Sequence, residues 1–227
     1  MRKILIIGGS RGIGNSLLNK LVDKNNVINI SRVKPDLSHH NLTHHTCDIL
    51  TDELPELDEL DSIIYSPGSI NLKPISRLKL DDFRNDFEIN VIGAVKTIQR
   101  YLPLLKKGHK PSIVLFSTVA TKLGMPFHAS VSAAKSAVEG LVKSLGAEFA
   151  PTIRINAIAP TVTDTDLASK ILRNEKMIDM ITERHPLKKF LNPNEVADLA
   201  EFLLSEKSAS ISGQVFNMDC GIVSFKI

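Results

Sequence analysis

Three glycines near the start of the chain, Gly8, Gly12 and Gly14, are the residues with the clearest chemical use. They lie in the segment GGSRGIG, directly after the apolar run KILII and before an amphipathic stretch. Glycines at this spacing allow a tight turn, a close approach of the backbone to a pyrophosphate, and tight packing of a helix on a strand. The helix that follows presents free N–H groups and a partial positive charge to phosphate. The segment therefore predicts a nucleotide site rather than a plain strand-to-helix turn.

The charges near this loop indicate which dinucleotide would bind. A site for NAD places a carboxylate at the end of the second strand, where it accepts a hydrogen bond from the ribose, whereas a 2′-phosphate needs a cation there. Here the second predicted strand ends at Ser31, Arg32 follows it, and Arg11 lies inside the glycine loop. Guanidinium groups bind phosphate through paired hydrogen bonds. We therefore expect NADP(H) in preference to NAD(H); the alternative is that both arginines only solvate the surface.

A second candidate, Lys135, lies in the segment MPFHASVSAAKSAVEG, which is rich in small residues. On a helix, residues four apart lie on one face, so the neighbour of Lys135 one turn earlier is Val131. A lysine in such a place usually has a polar partner, and an aliphatic side chain cannot be one. The residues alone leave open what Lys135 serves.

The elements that must position these residues follow from the apolar pattern. Short β-branched runs alternate with amphipathic stretches, and continuous apolar runs suit a parallel sheet covered on both faces. We therefore predict a single α/β domain over residues 1–227, a Rossmann-type doubly wound parallel sheet in three layers. The predicted strands are 3–7, 27–31, 62–66, 112–118, 153–159 and 214–218, and the predicted helices are 13–24, 80–107, 130–150 and 193–205.

The segment 33–46, VKPDLSHHNLTHHT, is polar where a crossover helix could have stood. We predict a loop there, one that still returns the chain to a parallel neighbour. Its histidine doublets, 39–40 and 44–45, could ligate a metal, but no Cys, Asp or Glu cluster completes a ligand set around them. Solvated loop histidines are the preferred interpretation, and we predict no metal site.

Composition excludes several classes of protein. With 28 basic and 25 acidic residues the formal charge is +3, too small to indicate a nucleic-acid partner. Cys47 and Cys220 have neither metal-ligand spacing nor a disulfide framework, so we expect a reducing compartment and a cytoplasmic protein. No apolar run approaches the roughly 20 residues of a membrane span, so no membrane partner is expected. The basic segment 106–110, KKGHK, is interpreted as a solvated loop, with phosphate binding as the alternative.

Together with SIVLFST, IRINAIAPTVTDT and SISGQVFNMDCG, these segments resemble the short-chain dehydrogenase/reductase family over nearly the whole chain. The family's glycine loop reads T-G-x-x-x-G-x-G, and only its threonine is replaced, by Ile7. The resemblance implies that Asp48 contacts adenine and that Asn90 supports the active site. It also implies a homodimer or homotetramer formed through segments 80–107 and 130–150. The expected cofactor residues are Gly8, Ser10, Arg11, Gly12, Ile13, Gly14, Ser31, Arg32, Asp48, Ile49, Ser66, Pro67, Gly68, Lys135, Pro160, Thr161, Thr163 and Thr165.

The sequence departs from the family at its catalytic motif. The family pairs Tyr-x-x-x-Lys with a serine thirteen residues before the tyrosine. Lys135 fits the lysine, but Val131 occupies the tyrosine position and Thr118 the serine position. In the family the tyrosine exchanges a proton with the substrate oxygen while hydride passes to or from the nicotinamide. Positioned acid–base catalysis contributes on the order of 10²- to 10⁴-fold in rate, so ordinary alcohol–ketone chemistry should be severely weakened.

Two further family segments are altered, N-N-A-G to YSPG and P-G-x-x-x-T to PTVTDT, where Thr161 replaces a glycine. Candidates to replace the phenol are His128, in the loop before the helix, Thr118, which can donate a hydrogen bond but not easily a net proton, and Tyr65, on the strand rim. The alternatives are a polar loop residue for His128 and an adenosine-side contact for Tyr65, and Tyr101 is interpreted as a packing or interface residue. The candidate catalytic residues are Lys135, Thr118, Asn90 and His128.

We therefore expect an NADP(H)-dependent oxidoreductase that acts on a small carbonyl, enone or imine compound with an altered proton transfer. The alternative is a catalytically silent NADP(H)-binding subunit or sensor, and a weaker one is a lyase or isomerase. Family members carry a helical lid after the sixth strand, and here segment 161–190 follows it. Its apolar residues are expected to line a pocket or to pack on the sheet.

Overall fold

Seven parallel strands form the centre of the computed structural model, which describes residues 1–225. The strands lie in the order β3-β2-β1-β4-β5-β6-β7. All six predicted strands are present with ends shifted by at most a few residues, so the predicted doubly wound α/β fold is confirmed. The strands are β1 Lys3–Ile7, β2 Asn26–Ser31, β3 Leu42–Thr46, β4 Ser62–Tyr65, β5 Ser112–Phe116, β6 Arg154–Pro160 and β7 Val215–Met218.

Helices cover both faces of the sheet because successive strand residues point to opposite sides. Leu5 and Ile7 of β1 lie in the core on one face, and Ile4 and Ile6 in the core on the other. The first core is closed by α3 and α4, the second by α1 and α6. The helices are α1 Gly12–Leu21, α2 Leu80–Phe87, α3 Gly93–Leu105, α4 Ala129–Phe149, α5 Glu175–Arg184 and α6 Pro193–Leu204.

The edge strand β3 corrects the prediction of a loop over 33–46. Residues 42–46 pair in parallel with β2, with Leu42 opposite Val27. An edge strand needs no apolar pattern because backbone hydrogen bonds to its neighbour fix it, and polar residues suit its open side. One of the histidines is also not a solvated loop residue. The Nδ1 atom of His44 lies 3.0 Å from Nδ2 of the buried Asn29, and burial lowers the pKa of His44.

The predicted helix 80–107 is interrupted by one π-helical turn, Glu88–Ile92, between α2 and α3. The side-chain amide of Asn90 donates to the carbonyl of Asp86, one turn earlier, at 2.7 Å. Such a side chain competes with the backbone ladder for that carbonyl. The hydroxyl of Tyr65 donates to the carbonyl of Ile89 at 2.6 Å and ties the turn to β4. Single π turns of this kind occur frequently at functional sites.

The sheet order reverses between β1 and β4, because the chain runs outward through β2 and β3 and then returns to the other side of β1. In such sheets ligands bind in the crevice beyond the carboxyl ends of the strands at this switch point. The glycine loop, the β4 loop and the β5 loop all meet there. None of the helices over residues 1–225 combines the length and apolar character that crossing a membrane would require.

Candidate cofactor and substrate site

The glycine loop has the geometry that its sequence predicts. Gly8 has a φ of +84° and Gly12 a φ of +52°, a region that side chains disfavour. A Cβ atom on Gly14 would lie 2.2 Å from the carbonyl oxygen of Gly8. The loop and the first turn of α1 therefore touch backbone to backbone, and only glycine fits at the contact.

The N-terminus of α1 is open to an anion. Its first turn carries no acidic residue, and the N-cap residue Arg11 is extended and makes no capping hydrogen bond with its side chain. The first-turn N–H groups of a helix need partners from outside the helix, and a phosphate can supply them. Asn29, which sequence analysis missed, holds the loop in place because its Oδ1 accepts from the N–H of Gly9 at 2.9 Å. The signal was a polar residue in the middle of the apolar run VINIS.

A groove of about 860 Å³ runs from this loop along the ends of β1, β2, β3 and β4. Ser31 is buried, and its hydroxyl donates to the carbonyl of Val33 at 2.8 Å, so it serves the local turn. Arg32 is exposed beside it, and Arg11 lies 3.8 Å from Asp166 in an exposed ion pair. Of the predicted cofactor residues, this groove is lined by Gly8, Ser10, Arg11, Gly12, Ile13, Ser31, Arg32, Asp48, Ile49, Ser66, Pro67, Gly68 and Thr165.

A second, apolar cavity of about 180 Å³ joins the groove at Ile13, Ser66 and Gly68. It is bounded by the β5 loop, the start of α4 and the loop after β6. Its predicted residues are Lys135, Thr118, His128, Pro160, Thr161, Thr163 and Thr165, and its apolar wall includes Ile70, Val119, Met125, Val131, Val162, Leu167 and Ile171. Gly14 and Asn90 line neither space; Gly14 supports the glycine loop and Asn90 supports the β4 loop from behind.

Lys135 does have a polar partner, which is a backbone carbonyl group. Its Nζ atom donates to the carbonyl of Phe116 at the end of β5, at 2.8 Å. The side chain is buried, and this burial lowers the pKa of Lys135 to about 8, against an opposing attraction from the carboxylate of Asp86. An ammonium has three donors, so Lys135 retains hydrogen-bonding capacity toward the cavity.

Three buried polar atoms close to Lys135 have no hydrogen-bond partner: Oδ1 of Asn90, Oδ2 of Asp86 and Oγ of Ser130. A Cβ atom built on Gly68 would lie 3.3 Å from the first of these and 3.7 Å from Nζ of Lys135. Buried polar groups without partners are rare in proteins and mark places where a ligand or water completes the structure. The Nζ atom of Lys135 is thus the donor available beside Gly68, where the groove and the cavity meet, and Oδ1 of Asn90 lies behind Gly68.

Comparison with known proteins decides the family. A sequence model described as Enoyl-(Acyl carrier protein) reductase matches residues 16–223. The chain belongs to the short-chain dehydrogenase/reductase family of oxidoreductases. It is 32% identical over 165 residues to the 3-oxoacyl-(acyl-carrier-protein) reductase FabG of Thermotoga maritima, covering 72% of this chain and 66% of that protein.

Other members of the family match along almost the full chain. A 2,5-dichloro-2,5-cyclohexadiene-1,4-diol dehydrogenase of Sphingobium indicum is 26% identical over 243 residues, covering 98% of this chain and 97% of that protein. A solved structure described as ElxO with NADP bound is 27% identical, with a TM-score of 0.89 and 99% of each chain covered. These relatives act on different compounds, so the family alone does not name a substrate.

The residues at the family's catalytic positions face the apolar cavity. Val131 is buried in its wall, and Oγ1 of Thr118 accepts from the N–H of Ala120 at 3.3 Å, so its proton is free for the cavity. The Nδ1 atom of His128 lies 2.7 Å from the carbonyl of Pro126 and must donate to it, which leaves Nε2 as an acceptor. Tyr65 is not a substitute for the phenol. Its hydroxyl is bound to Ile89, and burial raises its pKa.

The altered short-chain family segment PTVTDT has a structural reason that the sequence did not show. The hydroxyl of Thr161, where the family has glycine, lies 2.7 Å from Nε2 of the buried His185, whose Nδ1 contacts the carbonyl of Ile181 at 2.6 Å. Since that carbonyl only accepts, Nδ1 carries the proton and Nε2 accepts from the threonine. His185 thereby links the end of α5 to Thr161 in the wall of the cavity. No bounds were predicted for α5 from the sequence, and His185 was not among the predicted site residues.

Proposed function

We propose that this protein is an NADP(H)-dependent oxidoreductase that acts on a small, largely apolar carbonyl, enone or imine compound. The observation that carries the proposal is the junction at Gly68. There the groove that begins at the glycine loop meets the apolar cavity, beside the Nζ atom of Lys135. A dinucleotide lying along the groove would bring its far end to that junction. We also propose that residues 1–227 form one cofactor-binding domain.

The residues present fit a nicotinamide dinucleotide. The glycine loop and the open N-terminus of α1 suit the pyrophosphate, and the spare N–H groups of Lys135 suit the hydroxyls of a ribose. Arg11 and Arg32 suit a 2′-phosphate, and ElxO, a relative, has been solved with NADP. When bound, the nicotinamide supplies or accepts hydride. The chain itself binds the cofactor, orients the substrate and provides the proton.

The character of the substrate follows from the cavity wall. Aliphatic and thioether side chains dominate it, among them Ile70, Val119 and Met125, and the hydroxyl of Thr118 offers a donor for one oxygen. Burial of apolar surface in such a cavity contributes roughly 25 cal/mol per Å². A compact apolar molecule with one polar reacting group fits better than a sugar, whose several hydroxyls would lose their hydrogen bonds to water.

Fluorescence titration of the purified protein with NADPH and with NADH tests the cofactor. We expect NADPH to bind at least tenfold more tightly, and Arg32→Ala to weaken NADPH binding while NADH binding stays the same. Arg77→Ala is a matched control, because Arg77 lies on a turn outside the groove. Equal affinities for the two cofactors in the unchanged protein would overturn the preference, and binding of neither would overturn the function.

A second candidate function, a silent NADP(H)-binding subunit or sensor, is favoured by Val131 at the family's tyrosine position. Stopped-flow oxidation of NADPH over a panel of apolar ketones, enones and imines separates the two candidates. Turnover of any panel member supports the enzyme. Tight NADPH binding without oxidation of any panel member supports the sensor. The variant Val131→Tyr then tests the remainder of the site, because a restored phenol beside Lys135 should produce ketone reduction if the cavity is otherwise competent.

We also propose a homodimer or homotetramer formed through the outer faces of α2, α3 and α4. Leu80 is 72% exposed, Phe87 42% and Ile92 41%. These residues lie on α2 and on the π-helical turn that joins it to α3. On α4 the exposed positions Ala133 and Ser136 are small, so a second chain can approach closely. Light scattering on the eluting protein measures the mass. A monomer at every concentration would contradict the proposal.

A further inference from the structure

A buried carboxylate, Asp86, lies behind the β4 loop on the side of Lys135. Asp86 of α2 is fully buried, with a relative exposure of 0%. Its Oδ1 accepts hydrogen bonds from Ser69 at 2.5 Å and from Asn71 at 2.9 Å, and its Oδ2 has no partner. A buried charge is costly unless it is paired. Ser69, which donates to this carboxylate, lines the same cavity as Lys135, so Asp86 lies near the ammonium, and its attraction opposes the fall in the pKa of Lys135.

The cavity wall explains why this pair matters. Among the side chains that line the cavity in residues 1–225, those able to exchange a proton at ordinary pH are Lys135 and His128. His128 also lines a shallow groove on the outer surface and therefore lies at the mouth. Lys135 lies at the inner end, beside Gly68, where the reacting end of a dinucleotide would lie. Val131, one turn before it, leaves no phenol between the ammonium and the cavity.

We propose that Lys135 itself exchanges the proton with the substrate oxygen, and that Asp86 is a positioning residue that keeps Lys135 charged. The inference rests on the proposed oxidoreductase function and assigns its missing proton donor. In the reducing direction the substrate carbon gains hydride, an N–H bond of Lys135 breaks, and an O–H bond forms on the substrate. The neutral amine then takes a proton from solvent. Charge and atoms balance with hydride from the reduced cofactor and one proton from water.

The surroundings of Lys135 allow it to work near neutral pH. Burial lowers its pKa to about 8, and Asp86 prevents a larger fall. The other charged group close along α4 is Glu139, which is held by the hydroxyls of Ser117 and Thr121 at 2.6 Å and 2.8 Å. The β5 strand contributes only the carbonyl of Phe116, and His128 lies at the cavity mouth. A general acid is most effective when its pKa lies near the working pH.

The first test measures the protonation of Lys135 directly and needs no substrate. Competitive acetylation with acetic anhydride between pH 6 and pH 11, read by mass spectrometry of the Lys135 peptide, gives the pKa of this amine. The exposed Lys143 on the same helix is the internal standard. We expect Asp86→Asn to lower the pKa of Lys135 by about one unit, which makes the neutral fraction at pH 7 roughly fivefold larger. Asparagine keeps an acceptor for Ser69, so the fold should survive.

The matched control is Ser130→Ala, which removes another buried, unpartnered polar atom without removing a charge. It should leave the pKa of Lys135 unchanged. The inference is overturned if Asp86→Asn also leaves that pKa unchanged, or if Lys135 is never acetylated while the protein stays folded. Should Asp86→Asn fail to fold, reductive alkylation of the folded wild-type protein with hexanal and cyanoborohydride still decides, because the neutral fraction of an amine that faces the apolar cavity must form the alkylated product at Lys135.

The second test separates failure of this inference from failure of the proposed function. NADPH should slow the alkylation of Lys135 by hexanal at least tenfold. If NADPH gives no protection while the pKa results hold, the proposed cofactor site is wrong and the inference about Lys135 is not. With a substrate from the ketone, enone and imine panel, the kcat for reduction should fall as pH rises through about 8. In Asp86→Asn this fall should move about one unit lower while NADPH affinity stays within twofold. If the pH profile of kcat does not move in Asp86→Asn, Asp86 and Lys135 do not take part in the proton transfer.

Discussion

The contact between the glycine loop and α1 gives a prediction that tests the cofactor site through its geometry. In Gly14→Ala the new Cβ atom would lie 2.2 Å from the carbonyl oxygen and 2.9 Å from the carbonyl carbon of Gly8. Both obstacles are backbone, so no side chain can turn away to relieve the overlap. The start of α1 must instead move from the loop by about 1 Å to restore ordinary contact.

Two measurable losses follow from that movement. Overpacking of this kind costs about 1–3 kcal/mol of the free energy of unfolding, which is roughly 3–10 °C in Tm for a chain of this length. The displaced N–H groups also lose alignment with a bound pyrophosphate. Each charge-assisted hydrogen bond contributes about 1.5–3 kcal/mol, so the loss of one raises the Kd for NADPH roughly 10- to 100-fold.

The assay pairs urea unfolding with NADPH titration, and Gly124→Ala is the matched control. No atom lies within 4 Å of the Cβ position of Gly124, and its φ is outside the left-handed region, so the same substitution should change stability by less than about 1 kcal/mol and leave NADPH binding alone. If Gly14→Ala matches Gly124→Ala in both measurements, the phosphates do not bind where we place them.

Three other substitutions have calculable directions. Burial holds the pKa of Lys135 at about 8 when its ordinary value is 10.5, so the folded state penalises the charged amine. The stability of the wild type to urea should therefore rise as pH rises from 8 toward 10.5, and Lys135→Met should abolish this rise; an equal rise in both proteins would refute this. Arg154 donates to Leu203, Ser205, Ser208 and Ile211, and Arg154→Lys should cost about 3 kcal/mol in the same assay because lysine cannot span these acceptors. Phe87→Arg should halve the mass measured by light scattering if α2 lies in an interface, whereas Arg84→Lys, an exposed neighbour, should not.

The strands could be predicted because burial on both faces leaves an unbroken apolar signal. In β4, β5 and β6 nearly every residue is buried, and each strand has β-branched or aliphatic residues at its centre. The edge strand β3 lacks this signal because only its backbone is needed. For α5 the family resemblance implied a helix within segment 161–190, but the residues predicted no bounds, since the helix buries none of its residues fully and its polar side chains resemble those of a loop.

The geometry of the glycine loop was easier to predict than the surroundings of Lys135 for a related reason. Phosphate recognition by backbone requires glycine at fixed spacing, and this requirement is visible in sequence. The environment of Lys135 depends instead on residues brought together by tertiary structure. Asp86 and Asn90 are spaced like any polar pair on a helix surface, and only the π turn and the β4 loop turn them inward. His185 likewise acquires its role only because α5 folds back onto Thr161.

A buried carboxylate, Asp86, and a buried ammonium, Lys135, lie near each other in the core, and the energetics of burying them argue for a function. Burying a carboxylate with one oxygen unpartnered costs several kcal/mol, and burying an ammonium beside it costs more than their attraction returns unless both are well hydrogen-bonded. Stability alone would favour an apolar pair at positions 86 and 135. A perturbed ionisable group at the inner end of a cavity, as Lys135 is, is what acid–base chemistry requires. The apolar Val131 strengthens the argument, because it exposes the ammonium to the substrate and, by excluding water, increases the influence of Asp86 on its charge.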